Sequence, residues 1–259
     1  MGQAAAIHSP SHNDRFSPEE WRLRQDLAAA YRIAAHYKWD DMIATHISVR
    51  LPGPEHHFLL NPYGLMFHEV TASSLVKIDL KGNIIGPSPY GVNKAGFNIH
   101  SAIHEGRANA LCVVHFHTVA GMAVSSQEHG LLPINHAGLL FQGRLAYHKY
   151  EGVALNPDEK PRIVADLGDK PALMLHNHGL LTVGPSIGAA MYWMWNLQKA
   201  CEIQVATLAG GAKQIVPPPE VQATFTGQTG NNFIDDSGTN TVWPAMLRLC
   251  DKYYGDYKN

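Results

Sequence analysis

Two histidines flank one residue in His115-Phe116-His117, closing the apolar run Ala110-Leu111-Cys112-Val113-Val114, and His178 follows a second such run, Ala172-Leu173-Met174-Leu175. Side chains two apart on a strand share a face, so both imidazoles of the His-x-His pair can reach one ion while the strand behind them stays buried. A third ligand arrives from a distant strand end at His178, with His176 two residues earlier as a competitor. Three neutral imidazoles hold a divalent ion and leave a coordination position open, which separates a catalytic site from a closed structural one.

The other histidines, of 16 in all, read differently. His8 and His12 lie in a polar start, and His56 and His57 follow Pro52-Gly53-Pro54-Glu55 in what reads as a turn between strands. His100 and His104 stand one helical turn apart. That spacing can bind metal on a helix, but no Glu follows His100 as the HExxH pattern needs, so they are read as groups packed behind the site.

The elements that must carry these residues alternate in period. Ser17-Pro18-Glu19-Glu20 predicts a helix start with Ser as cap, Pro at the first position and Glu20 completing a capping box, and about 20 helical residues follow. Strands are expected at 43–51 and 58–61, then a hairpin pairing 75–79 with Ile84-Ile85 across Lys81-Gly82-Asn83. A helix over 95–105, the His115 strand, a helix over 119–125, a strand or short helix after Pro133, the segment 163–167 and the second metal strand come next. A long apolar helix over 188–208 reads as core or subunit interface. Past Gly211 the Pro217-Pro218-Pro219 and Gly/Thr/Asn stretch reads as a linker or surface-wrapping arm, and helical periodicity returns over 243–254. The domain plan is therefore a flexible tail over 1–17, one domain over 18–211, and a C-terminal arm and helix over 212–259.

With 259 residues, 45% of them apolar and 16% charged, the chain can bury one large core. A formal net charge of -2 gives no reason to expect nucleic acid or a membrane surface as partner. No signal-peptide core and no apolar run of membrane-spanning length are present, so a cytoplasmic location is expected. Cys112, Cys201 and Cys250 are odd in number and sit among apolar neighbours, which suits reduced core thiols.

Set out this way, the chain resembles the class II aldolase/adducin family, which includes the fuculose-phosphate and ribulose-phosphate aldolase-type enzymes. The match runs from about Trp21 to Gly211 and is strongest at Arg107 to Thr118 and in Leu175-His176-Asn177-His178-Gly179-Leu180-Leu181-Thr182-Val183-Gly184. Weaker support comes from Thr45-His46-Ile47-Ser48-Val49-Arg50 and Asn61-Pro62-Tyr63-Gly64, which are similar to pocket-lining loops. The resemblance implies a three-layer α/β/α sandwich around a mainly antiparallel sheet and a homotetramer with active sites at subunit boundaries. It assigns the ligands to His115, His117 and His178, and substrate contacts to His46, Ser48, Tyr63, Gly64, Lys94 and Gly96. It also implies a divalent metal, zinc first, with iron, manganese or cobalt as alternatives.

Three departures bear on the chemistry. Gly96 stands where the sugar-phosphate aldolases of this family place a glutamate base. Lys94-Ala95 and Thr45-His46 replace the residues that hold phosphate, and His136 lies where the partner-subunit tyrosine has no counterpart. A site built only of histidines leaves the ion's charge unneutralised and favours a chelating keto- or hydroxy-carboxylate, with Lys94 and His46 adding to that preference. The expected activity is a metal-dependent lyase, by aldol-type C–C cleavage or decarboxylation of a small hydroxy/keto carboxylate or carbonyl compound rather than a sugar phosphate. Candidates for proton transfer are His136, His148 and Tyr150, with Glu105 a further possibility. Two alternatives are a non-haem Fe(II) oxygenase on an aryl-pyruvate-like substrate and a non-catalytic adducin-like binding domain.

Overall fold

The structure is a computed structural model that describes residues 15–259; the tail expected over 1–17 falls mostly outside the described residues. Among the described residues seven strands, β1 (His46–Arg50), β2 (Phe58–Leu60), β3 (Val76–Ile78), β4 (Cys112–Phe116), β5 (Leu145–His148), β6 (Ala172–Leu175) and β7 (Gly179–Gly184), form one sheet. Its order is β3-β2-β1-β4-β7-β6-β5. Every neighbouring pair is antiparallel except β5 with β6.

Among the described residues there are nine α-helices: α1 (Pro18–His36), α2 (Lys94–Gly106), α3 (Val119–Ser125), α4 (His136–Leu139), α5 (Lys160–Leu167), α6 (Ile187–Ala209), α7 (Pro219–Gln228), α8 (Asn231–Ser237) and α9 (Trp243–Tyr253). Strand alternation divides the core into two layers. Ile47, Val49, Cys112, Val114, Phe116, Met174 and Leu180 pack with α1 and α6 on one face. Val113, Leu173, Leu175, Leu181 and Val183 pack with Ile99 and Ile103 of α2 and Ile163 and Leu167 of α5 on the other. This is the expected α/β/α sandwich.

α1 begins as the Ser17-Pro18 signal predicts, with the Ser17 hydroxyl accepting from the Glu20 N–H at 3.1 Å. The capping box is not completed, because the Glu20 carboxylate accepts instead from Arg24 Nε and Lys77 Nζ, both at 2.9 Å. The hairpin expected from residues 75 to 85 is reduced to β3 and a single bridge, Ile78 to Ile84. The arm differs more. Where a linker or surface-wrapping arm is expected, α7, α8 and a π-helical turn over Gly238–Val242 lead into α9. Tertiary contact accounts for this: Ile234 is buried, Trp193 Nε1–H donates to Asp235 Oδ1 at 2.8 Å, and a Cβ on Gly238 would lie 2.9 Å from the Ala189 Cα. α7 buries none of its residues within this chain. The three cysteines are free and buried, and burial pushes the Cys201 thiol up to about 12. No described helix is long and apolar enough to cross a membrane.

Candidate metal centre

β4 alternates Cys112, Val114 and Phe116 toward α1 and α6, which sends Val113 and His115 toward α2 and α5. His117 follows His115 on that face. His178 reaches the same point from the turn between β6 and β7. Asn177 makes that turn with φ of +56°, a left-handed conformation that asparagine tolerates better than most residues. Gly179 lets the turn approach β4, since a Cβ there would lie 2.5 Å from the Phe116 carbonyl oxygen and 3.2 Å from the His117 ring. The same turn removes His176 from contention. Its Nδ1 bonds the Ser125 carbonyl at 3.1 Å and its ring stacks on Tyr147.

The three rings stand at the corners of a triangle with 4.8 Å between each pair of centroids. One ligand atom from each lies within 4.8 Å of the others. His115 Nδ1–H donates to the Leu180 carbonyl at 2.9 Å and His117 Nδ1–H donates to Asp41 Oδ2 at 3.1 Å. Each bond fixes the tautomer and leaves Nε2 with a lone pair. The two Nε2 atoms then face each other at 3.0 Å, an arrangement that a shared cation relieves. Burial first, then the neighbouring imidazoles, holds His115 well below the usual histidine range and His178 down to about 4. These donors fit a divalent ion with an open position.

Asp41 is the residue that sequence reasoning missed. It sits in a loop ahead of β1 with no periodic pattern to mark it. Its carboxylate corrects the expectation that protein leaves the ion's charge wholly unneutralised, although it acts from behind His117 rather than as a ligand.

A cavity of about 260 Å³ opens on the triad and is lined also by His46, Asn93, Ala95, Gly96, Ile99, Tyr150 and Gly152–Ala154. Two clefts of about 560 Å³ run along α1, yet none of their lining residues carries a buried side-chain polar atom lacking a partner. The smaller cavity holds the convergent chemistry.

Of the expected substrate contacts, His46 and Gly96 reach this cavity and touch each other. β1 pairs His46 opposite His115, which makes them cross-strand neighbours. Asn93 caps α2 through its side-chain oxygen to the N–H groups of Ala95 and Gly96, and the helix presents Gly96 to the sheet. A Cβ at position 96 would sit over the flat of the His46 ring, 2.6 Å from Nε2 and closer to Cε1 and Nδ1. The His46 imidazole therefore fills the space that a side chain at 96 would take. Burial, followed by His117 and His178, pushes His46 down to about 3, so it is neutral and adds no positive charge. Lys94 is exposed and does not line the cavity. Both corrections remove the protein cations expected beside the metal.

The remaining expected residues lie apart from the cavity wall. Ser48 is buried beneath it, bonded to His100 and His104. Tyr63 is half exposed and Gly64 turns with φ of +100° outside the cavity. His136 packs against Phe225 of α7. His148 is buried with Nδ1 2.7 Å from Asp166 and Nε2 3.3 Å from Glu159. Both its nitrogens are engaged, so it has none to offer a substrate. Tyr150 alone of the proton-transfer candidates lines the cavity, its ring 6.3 Å from that of His178. Glu105 is exposed.

Residues 25–205 match the family model described as Class II Aldolase and Adducin N-terminal domain. A solved aldolase II superfamily protein from Pseudomonas syringae is 48% identical, with TM-score 0.91 over 96% of this chain and 100% of that one. L-fuculose 1-phosphate aldolase from Glaciozyma antarctica PI12 is 30% identical, with TM-score 0.78 over 95% of this chain and 96% of that one. Alpha-adducin of Rattus norvegicus is 49% identical over 243 residues, 88% of this chain but 33% of the relative, so the match spans about a third of that protein. The chain belongs to the class II aldolase and adducin N-terminal domain family.

Proposed function

We propose that the protein is a divalent-metal-dependent lyase acting on a small keto- or hydroxy-carboxylate, or a related carbonyl compound, rather than on a sugar phosphate. One observation carries this reading: His115 and His117 are held in tautomers that turn their Nε2 lone pairs toward each other and toward His178. His115, His117 and His178 would hold the ion, zinc first, with iron, manganese or cobalt as alternatives. When bound, the ion would supply Lewis-acid stabilisation of charge developing on a substrate carbonyl. The chain's own residues shape what it accepts. Asp41 orients His117, Gly96 leaves room for His46, and Ile99 with Ala154 gives the cavity an apolar wall. Among the described residues, no lysine or arginine lines the cavity to receive a phosphate.

A homotetramer with sites at subunit boundaries accompanies this reading. It is supported by α7, which buries nothing within one chain, and by Met42, Val119 and Val153, which are 68%, 88% and 68% exposed around the triad. Light scattering of the purified protein tests the assembly. A cytoplasmic location remains part of the same proposal.

The test of activity is metal quantified after native purification, followed by a panel of keto and hydroxy acids assayed for release of CO2 or an aldehyde. Release that stops with chelator and returns with zinc is expected. A metal-replete protein inert across the panel would sink the lyase reading. The likeness to alpha-adducin favours one second reading, a binding domain without catalysis. Protein that is metal-free as purified and fails to take up zinc would establish that alternative.

A further inference from the structure

The three histidines of the triad come from two separate stretches of chain, and one short helix touches the support of each. α3 begins directly after His117, where Thr118 caps it and accepts the Gly121 N–H at 3.2 Å. At its other end the Ser125 carbonyl accepts from His176 Nδ1–H at 3.1 Å and from the Asn177 N–H at 3.2 Å. His178 is the next residue. Between these ends Gly121 lies against β7, since a Cβ there would come 2.6 Å from the Leu180 Cγ. The Leu180 carbonyl is the acceptor that orients His115. A displacement of α3 would therefore reach His115, His117 and His178 together.

α6 holds this helix at both ends. Its buried face carries two amides, Gln198 and Gln204. Gln198 Oε1 accepts from the Thr118 hydroxyl, and its Nε2–H donates to Glu202 Oε1 at 3.0 Å. Gln204 Nε2–H donates to Gln127 Oε1 at 2.7 Å and to the Gly130 carbonyl at 2.8 Å, while its Oε1 accepts the Leu132 N–H at 2.7 Å. Leucine would serve packing at either position, and burying an amide has a desolvation cost that only directional bonds offset. What these bonds fix is the place of α3 along α6. Residues 198 and 204 stand about 9 Å apart along a helix axis, and the length of α3 is about 10 Å. The two spans match, so the clamp resists sliding of α3 in either direction.

We propose that α3 is the gauge of the metal centre, and that Thr118, His176, Gln198 and Gln204 are positioning residues that set how tightly the three histidines hold an ion. This deepens the metal-dependent reading and rests on it. Zinc takes imidazole nitrogens at about 2.0–2.1 Å with a tolerance of about 0.2 Å, so a small shift of one ligand is felt as lost affinity. His176 thereby has a task although it is no ligand. Its donor anchors the turn that carries His178, and its stacking on Tyr147, 5.4 Å between centroids, holds the ring in place.

The test measures zinc affinity of the full chain by competition with a chromophoric chelator, beside the melting temperature of the metal-free protein. Thr118→Val keeps the shape and removes the hydroxyl, and His176→Phe keeps a ring on Tyr147 and removes the donor. Each should weaken zinc binding about tenfold, the low end for loss of an outer partner. Thr118→Ser should bind as wild type does. Ser17→Ala, which uncaps α1, should lower the melting temperature and leave zinc affinity unchanged. The visible bands of the cobalt-loaded protein, which report coordination geometry, should shift in Thr118→Val and His176→Phe alone. If Thr118→Val does not fold, His176→Phe at the other end of the helix decides. Either folded variant binding zinc as tightly as wild type would overturn this inference alone, as would equal weakening in Ser17→Ala. Wild type that takes up no zinc would overturn the lyase reading together with it.

Discussion

His115, His117 and His178 turn free ring nitrogens toward one another, with a single carboxylate, Asp41, behind the rim. On the same face of the sheet, His148 of β5 meets a carboxylate at each nitrogen, Asp166 at 2.7 Å and Glu159 at 3.3 Å. The residue type is the same, and burial is deep at both His115 and His148. What differs is the partner supplied to the second nitrogen. A histidine whose nitrogens are both engaged by acids ties α5 to the sheet. One that gives a proton to a carbonyl and keeps a lone pair is ready for an ion.

The contrast can be broken in several ways, beginning with acid. His178 is held down to about 4, His46 and His104 to about 3, and His115 and His100 lie well below the ordinary 6.5. As pH falls below 6.5 the unfolded chain takes up protons that the folded chain refuses, so stability rises with pH across this window and is lost on acidification. His46, His104 and His178 alone predict a loss of several kcal/mol between pH 6.5 and 5 at about 1.4 kcal/mol per shifted unit, and His100 and His115 act in the same direction. Urea unfolding at stepped pH checks this, and a flat profile would contradict it. Zinc should raise stability throughout this window without flattening the profile, because the loaded fold binds no more protons at His115 and His178 than the empty one.

His115→Ala should lower zinc affinity more than the ~10–100-fold typical of removing an outer partner, with a far smaller change at the His148 cluster. Mass-spectrometric metal analysis reads the outcome. His148→Ala should do the reverse. It leaves Glu159 as a buried carboxylate without its partner and costs about 3 kcal/mol of stability, with zinc stoichiometry intact. Loss of zinc in that variant would show the two clusters to be one system. The smallest effect is expected from Asp41→Asn, about tenfold in zinc affinity. Since Asp41 is half exposed, the melting temperature should barely move.

The triad was legible because each part has a local signature. His-x-His on an apolar strand shows its period in five residues, and Asn177-His178-Gly179 spells a left-handed turn with a close approach after it. The start of α1 was equally readable from Ser17 and Pro18, whereas the capping box failed because Lys77, far along the chain, draws Glu20 away. Asp41, the carboxylates around His148 and the contact of His46 with Gly96 join residues distant in sequence, and no spacing encodes them. The helices α7 and α8 were hidden for a related reason. Their Gly/Thr/Asn composition disfavours helix in isolation, and at α8 packing against α6 supplies what propensity does not. The candidate His136 rests on closeness in sequence to an expected pocket edge and Lys94 on a position matched to the family, and neither says where a side chain ends up.

The fit of Gly96 beneath His46 also bears on the paths by which this chain can change. Any single substitution that adds a side chain at 96 meets the imidazole, and overpacking of that kind costs typically about 1–3 kcal/mol before any new group can contribute to chemistry. Removing the imidazole first opens a void. A carboxylate at 96 is thus reachable only through a pair of changes, each harmful alone. The two positions are coupled as a ratchet, and a lineage that has acquired both is held on its own branch of the family's chemistry.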